Sequence, residues 1–148
     1  MTYEQALNRA AALCSSGEHC EKQIREKLEK WEVAEDDANR IIERLCEGKF
    51  LDSRRFCHAF ASDKLRYNQW GRFKIRMALR MLNLPDTDIQ EALDALDENE
   101  YRNILNKILD AKARTLHDTD SYIRTGKLVR FAASRGFEAD LVFELLKE

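Results

Sequence analysis

The feature of this sequence that most restricts its fold is a set of apolar residues that recurs after 51 positions. Apolar residues spaced three or four apart predict amphipathic helices. A third, shorter copy follows 53 residues further on and keeps the same gap between its two halves. The copies are Ile24, Leu28, Val33, Ala38, Ile42 and Leu45; Ile75, Leu79, Leu84, Ile89, Leu93 and Leu96; and Leu128, Ala132, Phe137, Val142 and Leu146. Unrelated helix pairs could align by chance, but chance does not explain why the link keeps its length.

A less regular helix precedes each helix pair, so the repeating unit contains three helices. The composition agrees with this, because one proline and five glycines in 148 residues leave long stretches free to be helical. We predict an all-α fold of three tandem three-helix repeats forming an elongated, curved array. The predicted repeats span residues 1–49, 50–97 and 98–148. Each repeat has a small core that its neighbours complete, and the array offers a long surface to a partner.

No apolar run is long enough to span a bilayer, and the polar start Met1–Gln5 lacks the pattern of a signal peptide. We therefore expect a cytoplasmic protein that does not engage a membrane. In that compartment its four cysteines are expected to stay as thiols. We also expect a monomer.

The charge is segregated along the chain. Residues 1–48 carry a net charge of −4, residues 49–85 carry +7, and residues 86–148 carry −5. No acidic residue occurs from Lys64 to Arg80. A basic centre of this kind indicates a polyanion or an acidic protein surface as the partner.

The candidate binding residues are basic or aromatic side chains of this central segment. On the predicted fifth helix, Arg72, Arg76 and Arg80 are four residues apart and are expected to share one face. Guanidinium groups can bind phosphates or carboxylates through two hydrogen bonds, and exposed aromatic rings can stack on bases. The candidates are Arg54, Arg55, Lys64, Arg66, Tyr67, Trp70, Arg72, Lys74, Arg76 and Arg80. Two alternatives remain open: the cations pair with the acidic neighbouring repeats, and Trp70 packs between helices.

Catalysis and metal binding find no support in the sequence. There is no glycine-rich phosphate loop and no nucleophile turn, so we predict a protein that is not an enzyme and has no cofactor. Cys14, His19 and Cys20 are close together, but no Cys-x-x-Cys pair or zinc-ligand spacing is present. We expect Cys46 and Cys57 to act as small apolar residues at helical positions instead.

Three motifs resemble those of the RecX family. Leu51-Asp52-Ser53-Arg54-Arg55-Phe56 is similar to its leucine, two acids, variable residue, arginine and phenylalanine. Gly71 to Leu79 resembles the family's central helix, which contains a glycine followed by isoleucine-arginine. Lys127 to Phe137 resembles its C-terminal pattern of lysine-leucine and then arginine-glycine-phenylalanine. Ser53 replaces the second acid, Arg72 stands where proline is common, and Ala132 replaces a leucine. The resemblance extends from about Tyr3 to the C-terminus.

The resemblance implies a function that periodicity alone does not supply. RecX proteins bind the filament of the RecA recombinase on DNA and mostly inhibit strand exchange, ATP hydrolysis and co-protease activity. A negative regulator of homologous recombination, DNA repair and the SOS response is therefore expected. Two other functions use the same basic segment: direct binding to single- or double-stranded DNA, and a helical-repeat scaffold for another acidic partner.

Overall fold

The computed structural model describes residues 1–147, and in that range the chain forms nine α-helices and no strand. The helices are α1 (Tyr3–Ser16), α2 (Glu21–Lys30), α3 (Glu35–Glu47), α4 (Ser53–Asn68), α5 (Arg72–Met81), α6 (Asp86–Asp94), α7 (Glu98–Ala113), α8 (Ser121–Ser134) and α9 (Ala139–Leu146). They form three units of three helices in chain order. We refer to α1–α3, α4–α6 and α7–α9 as repeats 1, 2 and 3. The predicted all-α class is confirmed.

The first helix of every repeat begins at a side chain that accepts a hydrogen bond from the first helical turn. These residues are Thr2 for α1, Asp52 for α4 and Asp97 for α7. Such caps satisfy backbone N–H groups that have no partner inside the helix, and each typically contributes about 1 kcal/mol. A polar capping residue therefore marks the point at which each repeat begins.

The links between the second and third helices have the same geometry in all three repeats. Each contains one residue with positive φ, namely Glu32 (φ 60°), Asn83 (φ 60°) and Gly136 (φ 92°). These positions are separated by the same 51 and 53 residues as the apolar sets. The next residue in each link donates its backbone N–H to the carbonyl five positions earlier: Val33 to Leu28, Leu84 to Leu79, and Phe137 to Ala132. The constant link length in the sequence thus reflects one recurring turn.

The cores show that the three repeats are not equivalent. Repeat 1 has its own core, in which Ile24, Leu28 and Ile41 are fully buried. Repeats 2 and 3 share a second core that runs from Phe56 of α4 to Leu145 of α9. Cys20, just before α2, is the residue of repeat 1 that belongs to this second core. The expectation that neighbours complete each other's cores therefore holds for repeats 2 and 3, whereas repeat 1 is a separate packing unit.

The accessible surface fits an extended array. The chain exposes 9270 Å², whereas a compact protein of its 17.3 kDa mass is expected to expose about 7,800 Å². Two cores in series account for this excess, because each is bounded by its own surface. In the part of the chain that the structure describes, no helix is both long and apolar enough to cross a membrane.

Candidate binding surface

The predicted binding residues lie on α4, on α5 and on the short turn between them. The turn forms because Gln69 takes a left-handed conformation (φ 53°) that ends α4, and Gly71 then begins α5. Gln69 and Trp70 lie in the turn, while Lys64 and Arg66 lie in the last turns of α4. The tight turn keeps the basic ends of both helices close together.

Five of the candidate arginines form ion pairs, and every acidic partner lies outside the basic segment 49–85. The pairs are Arg54–Glu91 (2.6 Å), Arg55–Glu18 (2.7 Å), Arg66–Glu100 (2.6 Å), Arg80–Asp86 (3.2 Å), and Arg72 with both Glu98 (2.7 Å) and Glu138 (2.8 Å). Arg55, Arg66 and Arg72 pair with acids of repeats 1 and 3, as the alternative of pairing with the acidic neighbouring repeats predicts. Arg54 and Arg80 instead pair with acids of repeat 2 itself. Exposed pairs of this kind contribute only about 0–1 kcal/mol each, so a polyanion can still compete for the exposed arginines.

The four-residue spacing predicts that Arg72, Arg76 and Arg80 share one face. In the structure, however, Arg72 does not form an exposed row with the other two. Its side chain is only 25% exposed, and its guanidinium group lies 3.9 Å from the centre of the Tyr101 ring. Burial alone lowers the pKa of Arg72, but its hydrogen bonds to Glu98 and Glu138 outweigh burial and raise it. The spacing fixes a position on α5, but the neighbouring repeat covers that position.

Besides their shared core and ion pairs, repeats 2 and 3 meet backbone to backbone at Gly71 and Gly136. Gly71 donates its N–H to the carbonyl of Arg135 (2.7 Å), and Phe73 donates to that of Gly136 (3.1 Å). A Cβ atom at Gly71 would lie 2.4 Å from the carbonyl carbon of Gly136, closer than packed atoms allow. The start of α5 is therefore capped by the link between α8 and α9. We call this backbone contact the Gly71–Gly136 junction.

Tyr101 completes this junction from α7. Its hydroxyl accepts a hydrogen bond from the backbone N–H of Arg72 (3.0 Å) and donates a short one to the carboxylate of Glu138. The ring is fully buried against Phe137. Burial and then the hydrogen bond to Glu138 raise the pKa of Tyr101, so the hydroxyl keeps its proton throughout the ordinary pH range. The junction thus contains four hydrogen bonds between backbone and side-chain groups of repeats 2 and 3.

Two candidate lysines lie over Trp70. The Nζ atoms of Lys64 and Lys74 are 4.9 and 4.7 Å from the centre of its ring, and neither forms an ion pair within residues 1–147. Trp70 is half-buried and packs against the shared core, which matches the alternative in which it packs between helices. A base stacking on Trp70 would compete with these lysines for the ring. Tyr67, by contrast, is 76% exposed.

A second aromatic ring with two cations lies in repeat 3, and the sequence analysis missed it. Lys112 and Arg135 are 5.4 and 5.2 Å from the centre of the Phe131 ring. Neither cation has a carboxylate partner among the residues that the structure describes. Because Gly71 bonds to Arg135, this group adjoins repeat 2 at the junction. No run of basic residues signals it, since its members come from two helices and a link.

Arg76 donates a hydrogen bond to the side-chain amide of Gln90 (2.7 Å) and forms no ion pair within the described chain. Lys64, Lys74, Arg76, Lys112 and Arg135 thus have no carboxylate partner in residues 1–147. We call these five residues the unpaired cations, because they surround the junction without a carboxylate; Lys27, Lys30 and Arg44 of repeat 1 also lack one in that range but lie away from the junction. Unlike Arg72 and Arg80, the unpaired cations are not neutralised by a carboxylate in the described part of the chain.

Cys20 and Cys57 are buried core residues, whereas Cys14 is half-buried. The expectation of a small apolar role holds for Cys57 but is wrong for Cys46, which is exposed on α3. Burial raises the pKa of the Cys57 thiol to about 11, and it also raises the pKa of Cys14, Cys20 and Cys46. In residues 1–147, no group of three or more His, Cys, Asp or Glu side chains is arranged to hold a metal ion.

Two family models match the chain. RecX, first three-helix domain, matches residues 6–45, and RecX, second three-helix domain, matches residues 52–93. Together these matches cover more than half of the chain and correspond to repeats 1 and 2.

Similar proteins carry the same family name. The chain is 32% identical over 130 residues to "Regulatory protein RecX" of Clostridium botulinum (strain Eklund 17B / Type B), covering 86% of this chain but 60% of that protein. It is 30% identical over 148 residues to "Regulatory protein RecX" of Chlorobium phaeobacteroides (strain BS1), covering 98% of this chain and 93% of that protein. The chain thus spans about 60% of the length of the Clostridium relative and nearly all of the Chlorobium one.

Two solved structures share the fold. "Crystal structure of regulatory protein RecX" matches with a TM-score of 0.88 and 18% identity, over 99% of this chain and 72% of that one. "Crystal structure of RecX from Lactobacillus salivarius" matches with a TM-score of 0.87 and 17% identity, over 98% and 94%. Both neighbours extend the similarity through repeat 3, at the level of the fold. From the two family models and the relatives of nearly equal length, the chain belongs to the RecX family of regulatory proteins.

Proposed function

We propose that this protein binds the RecA filament on DNA and modulates it, mostly by inhibiting strand exchange, ATP hydrolysis and co-protease activity. Family membership supports the choice of RecA as the partner. The proposal also includes a regulatory rather than an enzymatic role, in the cytoplasm and as a monomer. No cofactor takes part in it.

The observation that carries the proposal is the group of unpaired cations on both sides of the Gly71–Gly136 junction. Lys64 and Lys74 lie over Trp70, and Lys112 and Arg135 lie over Phe131. The rings hold the cations in place without neutralising them, because a ring face attracts a cation but carries no net charge. A filament offers both phosphates and acidic protein surface to such a group.

The central test is a titration of RecA ATP hydrolysis and strand exchange with the purified protein. The wild type is expected to inhibit both. The variant Lys64→Gln/Lys74→Gln/Arg76→Gln removes three unpaired cations but keeps good helix formers. It is expected to need about tenfold more protein for the same inhibition, as a loss of about 1.4 kcal/mol in binding predicts.

A matched control removes three exposed cations from repeat 1. Lys27→Gln/Lys30→Gln/Arg44→Gln changes the net charge by the same amount and is expected to inhibit as the wild type does. Equal loss in both variants would point to net charge rather than to the proposed surface. A wild type without any effect on RecA, at any ratio, would contradict the proposal and favour a scaffold for another acidic partner.

Direct DNA binding is the second candidate function, and the exposed Tyr67 beside the unpaired cations favours it. Aromatic rings near a basic surface are typical of single-strand binding. The measurement is the affinity for bare single- and double-stranded DNA compared with that for RecA-coated DNA. A preference for bare DNA would support the second candidate over the first.

A further inference from the structure

Helix α5 exposes three large apolar side chains in a single row. Phe73, Met77 and Met81 are 64%, 44% and 71% exposed. They are four residues apart, so they lie one above another on the helix surface and span about 12 Å of its length. The opposite side of α5 packs Ile75 and Leu79 fully into the shared core. The helix is therefore apolar on two faces, and the fold covers only one. We call the exposed residues the α5 row.

A row of this kind needs an explanation that single exposed residues do not. Scattered apolar side chains are normal on a protein surface, whereas a contiguous group marks an interaction site. Two of the three residues are methionines, whose flexible thioethers adapt to the shape of a partner. Helical rows with four-residue spacing are also the contacts used when one amphipathic helix docks against another.

Cations border the α5 row on both sides. Arg76 and Arg80 lie on the neighbouring row of the helix, and Lys74 borders the other side. Lys22 of α2 adds a further cation at the C-terminal end, where its Nζ bonds to the carbonyl of Met81 (2.9 Å). Of the four, only Arg80 forms an ion pair within the described residues, with Asp86. The apolar row is thus framed by positive charge.

We infer that the α5 row docks an amphipathic helix of a protein partner whose apolar stripe is bordered by Asp and Glu. The inference rests on the proposed function and makes RecA protein, rather than DNA alone, the surface that α5 meets. A phosphodiester backbone has no apolar group to cover two methionines. A second copy of this chain would place its own cation-bordered row against this one, and like charges would oppose the contact.

The test measures binding of labelled protein to RecA filaments formed on oligo(dT), and separately to bare oligo(dT). The variant Phe73→Gln/Met77→Gln/Met81→Gln removes the apolar row without changing charge or introducing poor helix formers. It is expected to bind filaments about tenfold more weakly, because buried aromatic and apolar anchors dominate helix docking. Its affinity for bare oligo(dT) is expected to stay unchanged. Circular dichroism checks that the helices are intact.

The matched control is Tyr122→Gln/Ile123→Gln, which removes two exposed apolar residues at the start of α8. It is expected to bind filaments as the wild type does. Unchanged filament affinity of the α5 variant, or an equal loss in the control, would overturn the inference. An equal loss on bare oligo(dT) would also overturn it, because the row would then serve the nucleic acid.

Two further measurements address other occupants. Sedimentation compares the oligomeric state of the wild type with that of the α5 variant. A dimer of the wild type but not of the variant would overturn the inference, because the row would then bind a second copy of the chain. Binding of the wild type, but not the variant, to phosphatidylglycerol vesicles would overturn it in favour of a lipid surface. If the wild type binds bare oligo(dT) but not RecA filaments, the proposed function fails. If the wild type and the α5 variant bind RecA filaments equally well, only the inference about the α5 row fails.

Discussion

Replacing Gly71 by alanine is the sharpest test of how repeats 2 and 3 are joined. The added Cβ would lie 2.4 Å from both the carbonyl carbon and the oxygen of Gly136, and 2.5 Å from the backbone nitrogen of Phe137. All three are backbone atoms, so no side chain can rotate to make room. The backbone at Gly71 itself is unstrained for alanine, with φ −84° and ψ 173°. Any effect therefore comes from the contact and not from the local conformation.

The expected size follows from the groups that must separate. Moving the two backbones apart breaks the hydrogen bonds from Gly71 to Arg135 and from Phe73 to Gly136, each worth about 1 kcal/mol. It also disturbs the hydrogen bond from Arg72 to Tyr101 and the packing of Phe137, for about 2 kcal/mol more. Alanine returns about 0.5–1 kcal/mol by restricting the unfolded chain. We expect Gly71→Ala to lower the free energy of unfolding by about 3 kcal/mol.

The assay is urea unfolding followed by circular dichroism, with Gly126→Ala as the matched control. Gly126 lies inside α8, and a Cβ there would meet only the flexible end of Arg130 at 3.4 Å. The same substitution should therefore stabilise the protein by up to about 1 kcal/mol, through helix propensity. The two variants are predicted to have opposite signs. Equal unfolding free energies for Gly71→Ala and the wild type would refute the backbone contact as the basis of the junction.

Two other changes probe the same region. Tyr101→Phe removes the hydroxyl that links the Arg72 N–H to Glu138. We expect it to lower the free energy of unfolding, measured in urea, by about 1.5 kcal/mol. A decrease smaller than the error of the fit would count against this role of the hydroxyl. Lowering the pH should also destabilise the protein, because hydrogen bonds to Arg or Lys lower the pKa of four carboxyl groups in the folded state: Glu91, Glu98, Glu100 and Asp118. The stabilisation is fully present above their unfolded pKa values and is lost as the pH falls below about 4 through the lowered ones. A urea midpoint at pH 3.5 equal to that at pH 7 would contradict this assignment.

Much of the fold could be predicted from the sequence because its signals are local. The spacing of Ile24 and Leu28, and of their counterparts, reports the buried side of each second helix. The constant link length reports a turn that closes through backbone hydrogen bonds within six residues. Arg135 ends α8, Gly136 takes a positive φ and Phe137 is buried, so three consecutive residues form this helix stop. Each of these features depends on residues that are neighbours along the chain.

The candidate site could be predicted less well because its properties depend on distant residues. Whether an arginine is paired depends on acids far away in sequence, such as Glu18 for Arg55. The partner of Gly71 lies 65 positions away. The glycine itself was a signal, because glycine is used where two backbones approach closely. Only the structure shows that its φ is ordinary and that no turn requires it. The four-residue spacing of the α5 row is visible in the sequence, but the spacing does not show whether the fold covers the row or leaves it exposed.

The salt dependence of DNA binding can separate the two descriptions of the basic surface. If the protein contacts single-stranded DNA through the five unpaired cations alone, log affinity should fall with log salt at a slope of about −3.5. If all eight basic candidates of α4 and α5 contact phosphates, the slope should be about −5.6. The ion pairs favour the smaller value, because an arginine that leaves its carboxylate for a phosphate releases a counterion but also leaves an unpaired acid beside the DNA. Arg66→Gln, which removes one paired arginine, should then leave the slope unchanged, whereas Lys74→Gln should reduce it by about 0.7. A steeper wild-type slope, reduced equally by both variants, would show that the ion pairs open on binding and that the arginines emphasised by the sequence are contacts after all.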